Sequence, residues 1–592
     1  MLFTSVAIAA AEHPGSLPSR IPPKRSIQVT EGFGVNTPLP RSPYLPWDRR
    51  WWTRIFDAGF GWVRIGQYEN SSEQTSWDWV EQTRGRYAVP PEVDEYVDSL
   101  VENHVRIQLQ LLYGNPMYTG RAGSLPDRIS PALPGVHPPD RSLYSIFWGP
   151  STEAQRQAFL GYVQWIVTHF RGRIGYYSLW NEEDEYFWND AGDPAAYALL
   201  LKATIAAVHT ADPQAKVVFG GLGSTRREFP RRVLEACGCA SGIDVFAYHS
   251  YPGYGTNTNP EKMDSGDRPA SALRQLVRSF PGIRPDLVFW DDEYNSIPTW
   301  KGSDESVQAK YVPRALLYNW AAGVRTFIWQ LISGPDGNQL DDFGLLRGMT
   351  GRPTDFSPRP VFGAVQNTNA LFADTRPDPS IGVTSPARND LPGQAPLLAY
   401  GFRAHSGRAI VAYWLAASSV PGDRFPPVTG TLVLTNTGIE RPVLLDVTSG
   451  SVLALKWKKG TSDTLEGLPF RDSVLAIADQ AYLDWPVLPE TPAELRARLA
   501  GEEVLLTWTT LAGDAVGFEI ERRIDGGPWE LIGRLDGDAR QHRTPAVAGQ
   551  RRQQYRVRAI NHSGASAWSN LAVVSETPSA RSGRAIVAGE IV

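Results

Sequence analysis

A (β/α)8 barrel, the TIM-barrel form of the α/β class, followed by two β-sandwich segments is the architecture this sequence predicts. Three observations carry it. Short apolar or β-branched runs alternate with helix-like stretches eight times before residue 373. Beyond that point the text turns to short alternating runs divided by turn residues. Two of the first eight runs also end in clusters of carboxylates, where a barrel of parallel strands keeps its chemistry.

The eight runs are GFGVN (32–36), WVRI (62–65), RIQLQLL (106–112), YYSLW (176–180), KVVFG (216–220), VFAYH (245–249), LVFW (287–290) and TFIW (326–329). Parallel strands need crossovers, and eight of them close a sheet. The third crossover contains a helix opened by a capping box of Thr152 and Gln155. Phe159, Leu160, Val163, Ile166, Val167 and Phe170 fall on one face of it. A second helix is expected over 193–213, with a proline early and another just past its end. The Pro/Gly-rich stretch 114–150 is long enough to build one side of a cleft. An eighth helix over 359–373 ends the barrel, which is expected to span 26–373.

Composition narrows the function. The 592 residues are 42 % hydrophobic and 20 % charged, with a formal net charge of −5. No basic block marks a nucleic-acid partner, and no apolar run is long enough to span a membrane. Twenty tryptophans suit both a large core and sugar faces. The nine histidines show no metal-ligand spacing, no G-x-S-x-G elbow occurs, and no cofactor or metal is expected. Cys237 and Cys239, the two cysteines, read equally as a local disulfide or as two buried thiols. The first 25 residues read as a signal remnant or a loose end. Nothing in the sequence sets an oligomeric state.

YYSLWNEEDEYFW (176–188) explains the two acidic clusters. The fourth run delivers Asn181 and Glu182 to the mouth of the barrel, and the seventh delivers Asp291, Asp292 and Glu293. Two carboxylates in different environments are what glycoside hydrolysis requires, one to protonate the leaving oxygen and one to attack. Asn181 suits a hydrogen bond to a sugar hydroxyl, and the surrounding rings suit sugar C–H faces. Strict strand alternation puts Trp290 and Asp292 on one face and Asp291 with Glu293 on the other, leaving three candidates for nucleophile.

At these residues the sequence resembles the clan A retaining glycoside hydrolases, most closely family 39, with families 5, 30 and 51 also similar. WNE at 180–182 and DEYN at 292–295 match the ends of the clan's fourth and seventh strands. The resemblance implies Glu182 as acid/base and Glu293 as nucleophile. It implies that Arg64 contacts the nucleophile, that His249 and Tyr251 form the sixth-strand His-x-Tyr, and that Trp329 lines the sugar pocket. YGNP (113–116) resembles the third-strand end of clan members, which makes Tyr113 and Asn115 subsite candidates, with Trp148, or else loop anchors. Taken singly, Arg64 reads as a core ion pair, Trp329 as packing and His249 as a structural histidine. The clan's usual proline after WNE is Glu183 here, and Glu183, Asp184 and Glu185 read as a solvated loop face.

The C-terminal half reads as a β-sandwich over 374–485, whose first strand is expected from before the barrel. A Pro-rich linker follows, then a segment over 486–578 that resembles a fibronectin type III domain. In it Trp508 is a core residue and Tyr555 fits a tyrosine corner. A tail, 579–592, ends the chain. The whole implies a glycosidase acting on an oligo- or polysaccharide, with secretion expected from the domain company. The rival readings are a carbohydrate-binding protein on a decayed barrel and a transglycosylase using the same site.

Overall fold

The protein is described by a computed structural model over residues 17–40, 51–68, 71–119, 146–189, 192–253, 255–333, 342–348, 356–385, 395–426, 428–457, 463–547, 549 and 552–574. The expected signal remnant up to residue 16, positions 120–145 of the long loop and the 579–592 tail lie outside these residues.

Each apolar run forms a strand. They are β1 (Gly34–Asn36), β2 (Trp62–Ile65), β3 (Arg106–Leu111), β4 (Tyr176–Leu179), β5 (Lys216–Leu222), β6 (Val245–Tyr248), β7 (Val288–Tyr294) and β8 (Val324–Ile328). All neighbours pair in parallel, and β8 closes on β1. The crossovers carry α1 (Trp52–Asp57), α2 (Pro91–Glu102), α3 (Glu153–His169), α4 (Pro194–Ala211), α5 (Glu228–Cys237), α6 (Ala270–Arg278), α7 (Glu305–Ala321) and α8 (Pro360–Phe372). The capping box at Thr152 and Gln155 is present. On α3 the face differs at one place: Tyr162 is buried and donates to the Thr75 carbonyl at 2.7 Å, whereas Leu160 is only half-buried. Cys237 and Cys239, at the end of α5, form a disulfide.

The barrel interior is stacked in layers. Trp62, Tyr176, Val218, Val245, Ala247, Trp290 and Phe327 form an apolar plug. Its rings meet edge-on, Trp62 and Trp290 at 5.1 Å between centroids. Gly34 has no side chain because the Phe327 ring crosses its place, 2.1 Å from where a Cβ would stand. Above the plug the inward side chains become polar, and that change positions the site.

β7 departs from the expected pattern. It runs through Asp291, Asp292 and Glu293 instead of ending before them. Thr326 opposes Asp291 and Ile328 opposes Tyr294, so β7 carries one extra residue against β8. β5 has a matching irregularity against β6 between Phe219 and Leu222. Such bulges re-aim side chains.

The chain divides into two compact units, residues 1–47 with 55–487, and 48–54 with 488–592. In the first, the barrel is followed by β9 (Thr375–Pro377), β10 (Gly382–Thr384), β11 (Leu397–Ala404), β12 (Ala409–Leu415), β13 (Val428–Thr435), β14 (Pro442–Asp446), β15 (Val452–Ala454), β16 (Asp463–Phe470) and β17 (Leu475–Asp479). One sheet has the order β9-β11-β12-β17-β14-β15 and the other β10-β13-β16, with an apolar core that includes Tyr413, Leu434 and Ile477. The segment before the barrel does reach this sandwich. It makes a single bridge, Arg20 to Ser451, with Ile21 N–H on the Gly450 carbonyl at 2.8 Å, rather than a strand.

The second unit holds β18 (Ala493–Ala500), β19 (Glu503–Thr509), β20 (Gly517–Ile524), β21 (Glu530–Asp536), β22 (Gln541–Pro545), β23 (Gln553–Asn561), β24 (Gly564–Ala565) and β25 (Ala572–Val574) in two antiparallel sheets. Trp508 and Tyr555 are both in its core. The Tyr555 hydroxyl donates to the Gln553 side chain at 2.9 Å, not to the backbone that a tyrosine corner would use.

Barrel and sandwich are joined by buried charge. Lys310 of α7 donates to both carboxylate oxygens of Asp472 at 3.0 Å, with the two side chains 3 % and 1 % exposed. Arg314, one turn on, pairs with Glu261 and donates to the carbonyls of Ala417 and Asp472. Lys310→Met leaves Asp472 buried and without its cation, which should destabilise the unit by about 3–5 kcal/mol. Denaturant unfolding of that variant beside Lys310→Met/Asp472→Leu checks this, the double variant recovering most of the loss.

Candidate active site

The polar layer starts from β2. Val63 and Ile65 flank Arg64, but strand alternation puts it on the inward face with Trp62, and its guanidinium is buried above the plug. Nη1 donates to Asn36 Oδ1 at 2.9 Å and to Glu293 Oε2 at 3.3 Å, and Nη2 donates to Asn181 Oδ1 at 2.8 Å. Nε faces Asp292 Oδ2 at 3.3 Å. Gln108 and Gln110, at alternate positions of β3, complete the layer: Gln108 donates to Asp292 at 2.8 Å and Gln110 to Asn181 at 3.3 Å.

The bulge in β7 sets the three acids in different surroundings. Asp292 and Glu293 both turn into the barrel, against the alternation that would have set Glu293 beside Asp291. Asp291 turns outward, accepting from Ser250 N–H at 3.2 Å, from the Ser250 hydroxyl and from Asn319 of α7 at 2.8 Å. Asp292 is wholly enclosed by Arg64, Gln108 and His249. Glu293 keeps an open edge, its side chain 11 % exposed, and accepts from Tyr251 Oη at 3.3 Å.

Across the mouth, Glu182 is held by an unusual backbone. Trp180 and Glu182 have φ of 68° and 48°, a left-handed region that side chains disfavour and that clusters at functional sites. Trp180 N–H bonds the Leu111 carbonyl at 3.2 Å, its indole donates to the Phe187 carbonyl at 2.6 Å, and Glu182 N–H bonds the Gly221 carbonyl at 2.9 Å. His249 Nδ1 lies 3.0 Å from Glu182 Oε1, while Nε2 lies 3.5 Å from Asp292 and 3.6 Å from Glu293. One oxygen of Glu182, one of Glu293 and one His249 nitrogen fall within 4.8 Å of one another. That trio is also the set that could hold a cation among the described residues, but the Arg64 guanidinium already stands against Glu293.

No protein-family model and no curated protein matches the chain. Glycoside hydrolases are among its structural neighbours. A GH39 enzyme from Xanthomonas axonopodis pv. citri matches at 13 % identity over 78 % of this chain and 95 % of its own, with a TM-score of 0.47. A bacterial orthologue of human α-L-iduronidase matches at 13 % identity over 95 % of this chain and 98 % of its own, at 0.47. A monomeric β-xylosidase from Caulobacter crescentus CB15 matches at 15 % identity over 78 % and 97 %, also at 0.47.

Most residues singled out from the sequence meet here: Arg64, Asn181, Glu182, His249, Tyr251 and Glu293. Tyr113 joins them. Its ring packs edge-on against Trp180 at 5.2 Å, and its buried hydroxyl, near Glu182, has no hydrogen-bond partner among the described residues. Trp329 sits in an aromatic cluster with Trp300, Phe343 and Tyr251 beside the site. Asn115 is elsewhere in role: buried, it donates to the carbonyls of Trp77 and Glu81 and accepts from Met117 N–H, so it anchors a loop. The solvated reading of 183–185 is corrected. Glu183 is wholly buried, Asp184 accepts from Gly223 N–H and the Ser224 hydroxyl, and only Glu185 reaches the surface, paired with Arg226. Sequence reasoning also missed Asn36, Gln108 and Gln110. Amides at alternate places in the apolar text of β3 are the signal that could have found two of them.

Electrostatics separates the acids. Burial disfavours charge on Asp292, yet Arg64, His249 and Gln108 hold it below the usual carboxylate range. Burial pushes Glu293 up, against the pull of His249 and Arg64, and the nearby Glu182 adds to the push. Burial alone would lower His249, but Glu293, Asp292 and Glu182 hold it well above its ordinary value. Asp291, facing α7, is pushed by burial to about 7. Its folded value lies above its unfolded one, so its contribution to stability is complete in acid and is lost as pH rises through about 7. Asp291→Asn is therefore expected to keep turnover within an order of magnitude and to lose less Tm than wild type between acid and mildly alkaline buffer. Asp292→Asn, which removes charge facing Arg64, should abolish turnover. Thermal scans and assays of both variants check the assignment.

Proposed function

We propose that the chain is a retaining glycoside hydrolase acting on an oligo- or polysaccharide, with Glu293 as nucleophile and Glu182 as general acid/base. The observation that carries this is the approach of the two carboxylates to within 4.8 Å around His249. Retaining enzymes hold their pair about 5–5.5 Å apart, and inverting ones about 6.5–9.5 Å apart to admit a water. In the first step a Glu293 oxygen attacks the anomeric carbon while Glu182 passes its proton to the departing oxygen, which breaks the glycosidic bond. In the second, Glu182 takes a proton from water as that water attacks the same carbon, which releases the sugar and frees Glu293.

The surrounding residues divide the work. Arg64 and Tyr251 orient Glu293 and favour its anion, the form that attacks. Asn181 Oδ1 is occupied by Arg64 and Gln110, which leaves its amide N–H groups for a sugar hydroxyl. The Tyr113 hydroxyl, which burial keeps neutral, is a second donor. Trp329 and Tyr251 supply apolar surface for the sugar face. The C-terminal unit, whose strands resemble a fibronectin type III module, acts as a spacer. An extracellular location belongs to the same proposal and is supported by the Cys237–Cys239 disulfide.

Sugar release from a panel of aryl β-glycosides and of plant and microbial polysaccharides tests the reading. Glu293→Gln should lower kcat by about 10⁴-fold or more with the fold intact. Glu182→Ala should lower kcat/KM by about 10²–10⁴-fold for a phenyl leaving group and far less for dinitrophenyl. Equal activity of wild type and Glu293→Gln would overturn the nucleophile. A loss indifferent to the leaving group would overturn the acid.

A further inference from the structure

Three successive acids follow Asn181-Glu182, and each grips the next part of the chain leaving β5. Glu183 enters a niche at Gly220 and Gly221, Asp184 holds Gly223 and Ser224, and Glu185 pairs with Arg226. The niche exists only because those positions lack side chains. A Cβ on Gly220, whose φ is 40°, would stand 1.7 Å from Glu183 Oε1. A Cβ on Gly221 would stand 2.8 Å from His249 Nε2, 3.2 Å from Asp292 Oδ1 and 3.3 Å from Arg64 Nη2. Gly221 thus forms a wall one residue thick, with the Glu183 carboxyl on one side and the catalytic cluster on the other. The same glycine accepts the Glu182 N–H at 2.9 Å and presents its own N–H to Glu183 Oε2 at 3.5 Å.

We propose that Glu183 is a positioning residue for Glu182: seated in the Gly220–Gly221 niche, it clamps the left-handed turn at Glu182 against the end of β5 and so aims the acid/base. This rests on the assignment of Glu182 made above. Titration makes the device conditional. Burial, with Asp184 adding to it, pushes the Glu183 carboxyl up to about 8, so it is seated as a neutral group. The groups that face it are few. Asp184 adjoins it on its own loop, the Gly221 N–H faces it from β5, His249 lies beyond, just past the end of β6, and the Tyr197 phenol, itself kept neutral by burial, faces it from α4. Above about 8 the carboxyl ionises against the neighbouring Asp184, and the clamp loosens.

The test compares wild type, Glu183→Gln, Glu183→Ala and Glu182→Ala on phenyl and dinitrophenyl glycosides, together with 15N NMR of the His249 ring. Glu183→Gln keeps the shape without the ionisation, so it should keep kcat/KM near neutrality and lose the alkaline fall expected of wild type near 8. Glu183→Ala should lower kcat/KM for the phenyl glycoside by about 100-fold, as expected for a displacement near 1 Å, and spare the dinitrophenyl one. In wild type the His249 resonances should step near 8, and in Glu183→Gln the step should vanish. A Glu183→Ala loss equal for both leaving groups, with the wild-type alkaline limb retained in Glu183→Gln, would overturn the proposal. If Glu182→Ala shows no leaving-group dependence, the acid assignment is what fails. The His249 step then judges Glu183 without any substrate, and its persistence in Glu183→Gln overturns the clamp.

Discussion

The guanidinium of Arg64 is the interaction on which the rest of the site depends. It is buried above an apolar plug, where an unpaired cation would be ruinous, and it is tolerable because each edge of its planar fork meets an oxygen. Those oxygens belong to Asn36 on β1, Asn181 after β4, and Asp292 and Glu293 on β7. One rigid donor set therefore fixes the relative position of three distant parts of the barrel. A lysine would offer a single point of charge and could not hold that geometry. The electrostatic consequence is as large as the structural one, because the same cation holds Asp292 ionised and opposes the burial that would protonate Glu293.

Below Arg64 the barrel is ordinary packing, and above it the strands abandon regularity. Extra residues in β7 and β5 break the inward–outward alternation at the height where the chemistry sits. In β7 this turns two consecutive carboxylates inward, and they take different duties. Asp292, fully enclosed, serves as a fixed counter-charge to Arg64. Glu293, one residue nearer the mouth, keeps an exposed edge and can meet a ligand. In β5 the irregularity delivers Gly220 and Gly221, whose missing side chains let the His249 cluster close from one side and Glu183 from the other.

This division also explains what was legible in the sequence. The eight strands were readable because both faces of a barrel strand are covered, which writes a continuous apolar run into the text. The two acidic clusters, at 182–185 and 291–293, were readable because each follows such a run with charge that a core would not keep. The choice between Asp291, Asp292 and Glu293 could not be made by periodicity, since a one-residue bulge inverts every later side chain and leaves no mark on composition. Glu183, Asp184 and Glu185 look like any solvated acidic loop. What encloses Glu183 and holds Asp184 is a pair of glycines, with Gly223 and Ser224, on the next strand and its exit, and no local rule connects the two stretches. Asn115 misled for the opposite reason: a side chain that satisfies two loop carbonyls and one N–H has the same letters around it as one waiting for a sugar.

The proposed retaining mechanism needs one carboxyl group to stay charged while its neighbour gains and loses a proton, and the two glutamates have different surroundings. Glu293 accepts from Arg64 and Tyr251, which favour its anion against the burial that pushes its carboxyl up. Glu182 faces a titratable partner, His249, 3.0 Å away, and is the more exposed of the two at 19 %. The same imidazole lies 3.5 Å from Asp292 and 3.6 Å from Glu293, so it stands between the two glutamates, its own charge favoured by Glu293, Asp292 and Glu182 against burial. In the proposed mechanism that arrangement keeps Glu182 beside one cationic partner in both steps, as acid and then as base, without moving any backbone. It also requires that the turn at Glu182 stay where it is.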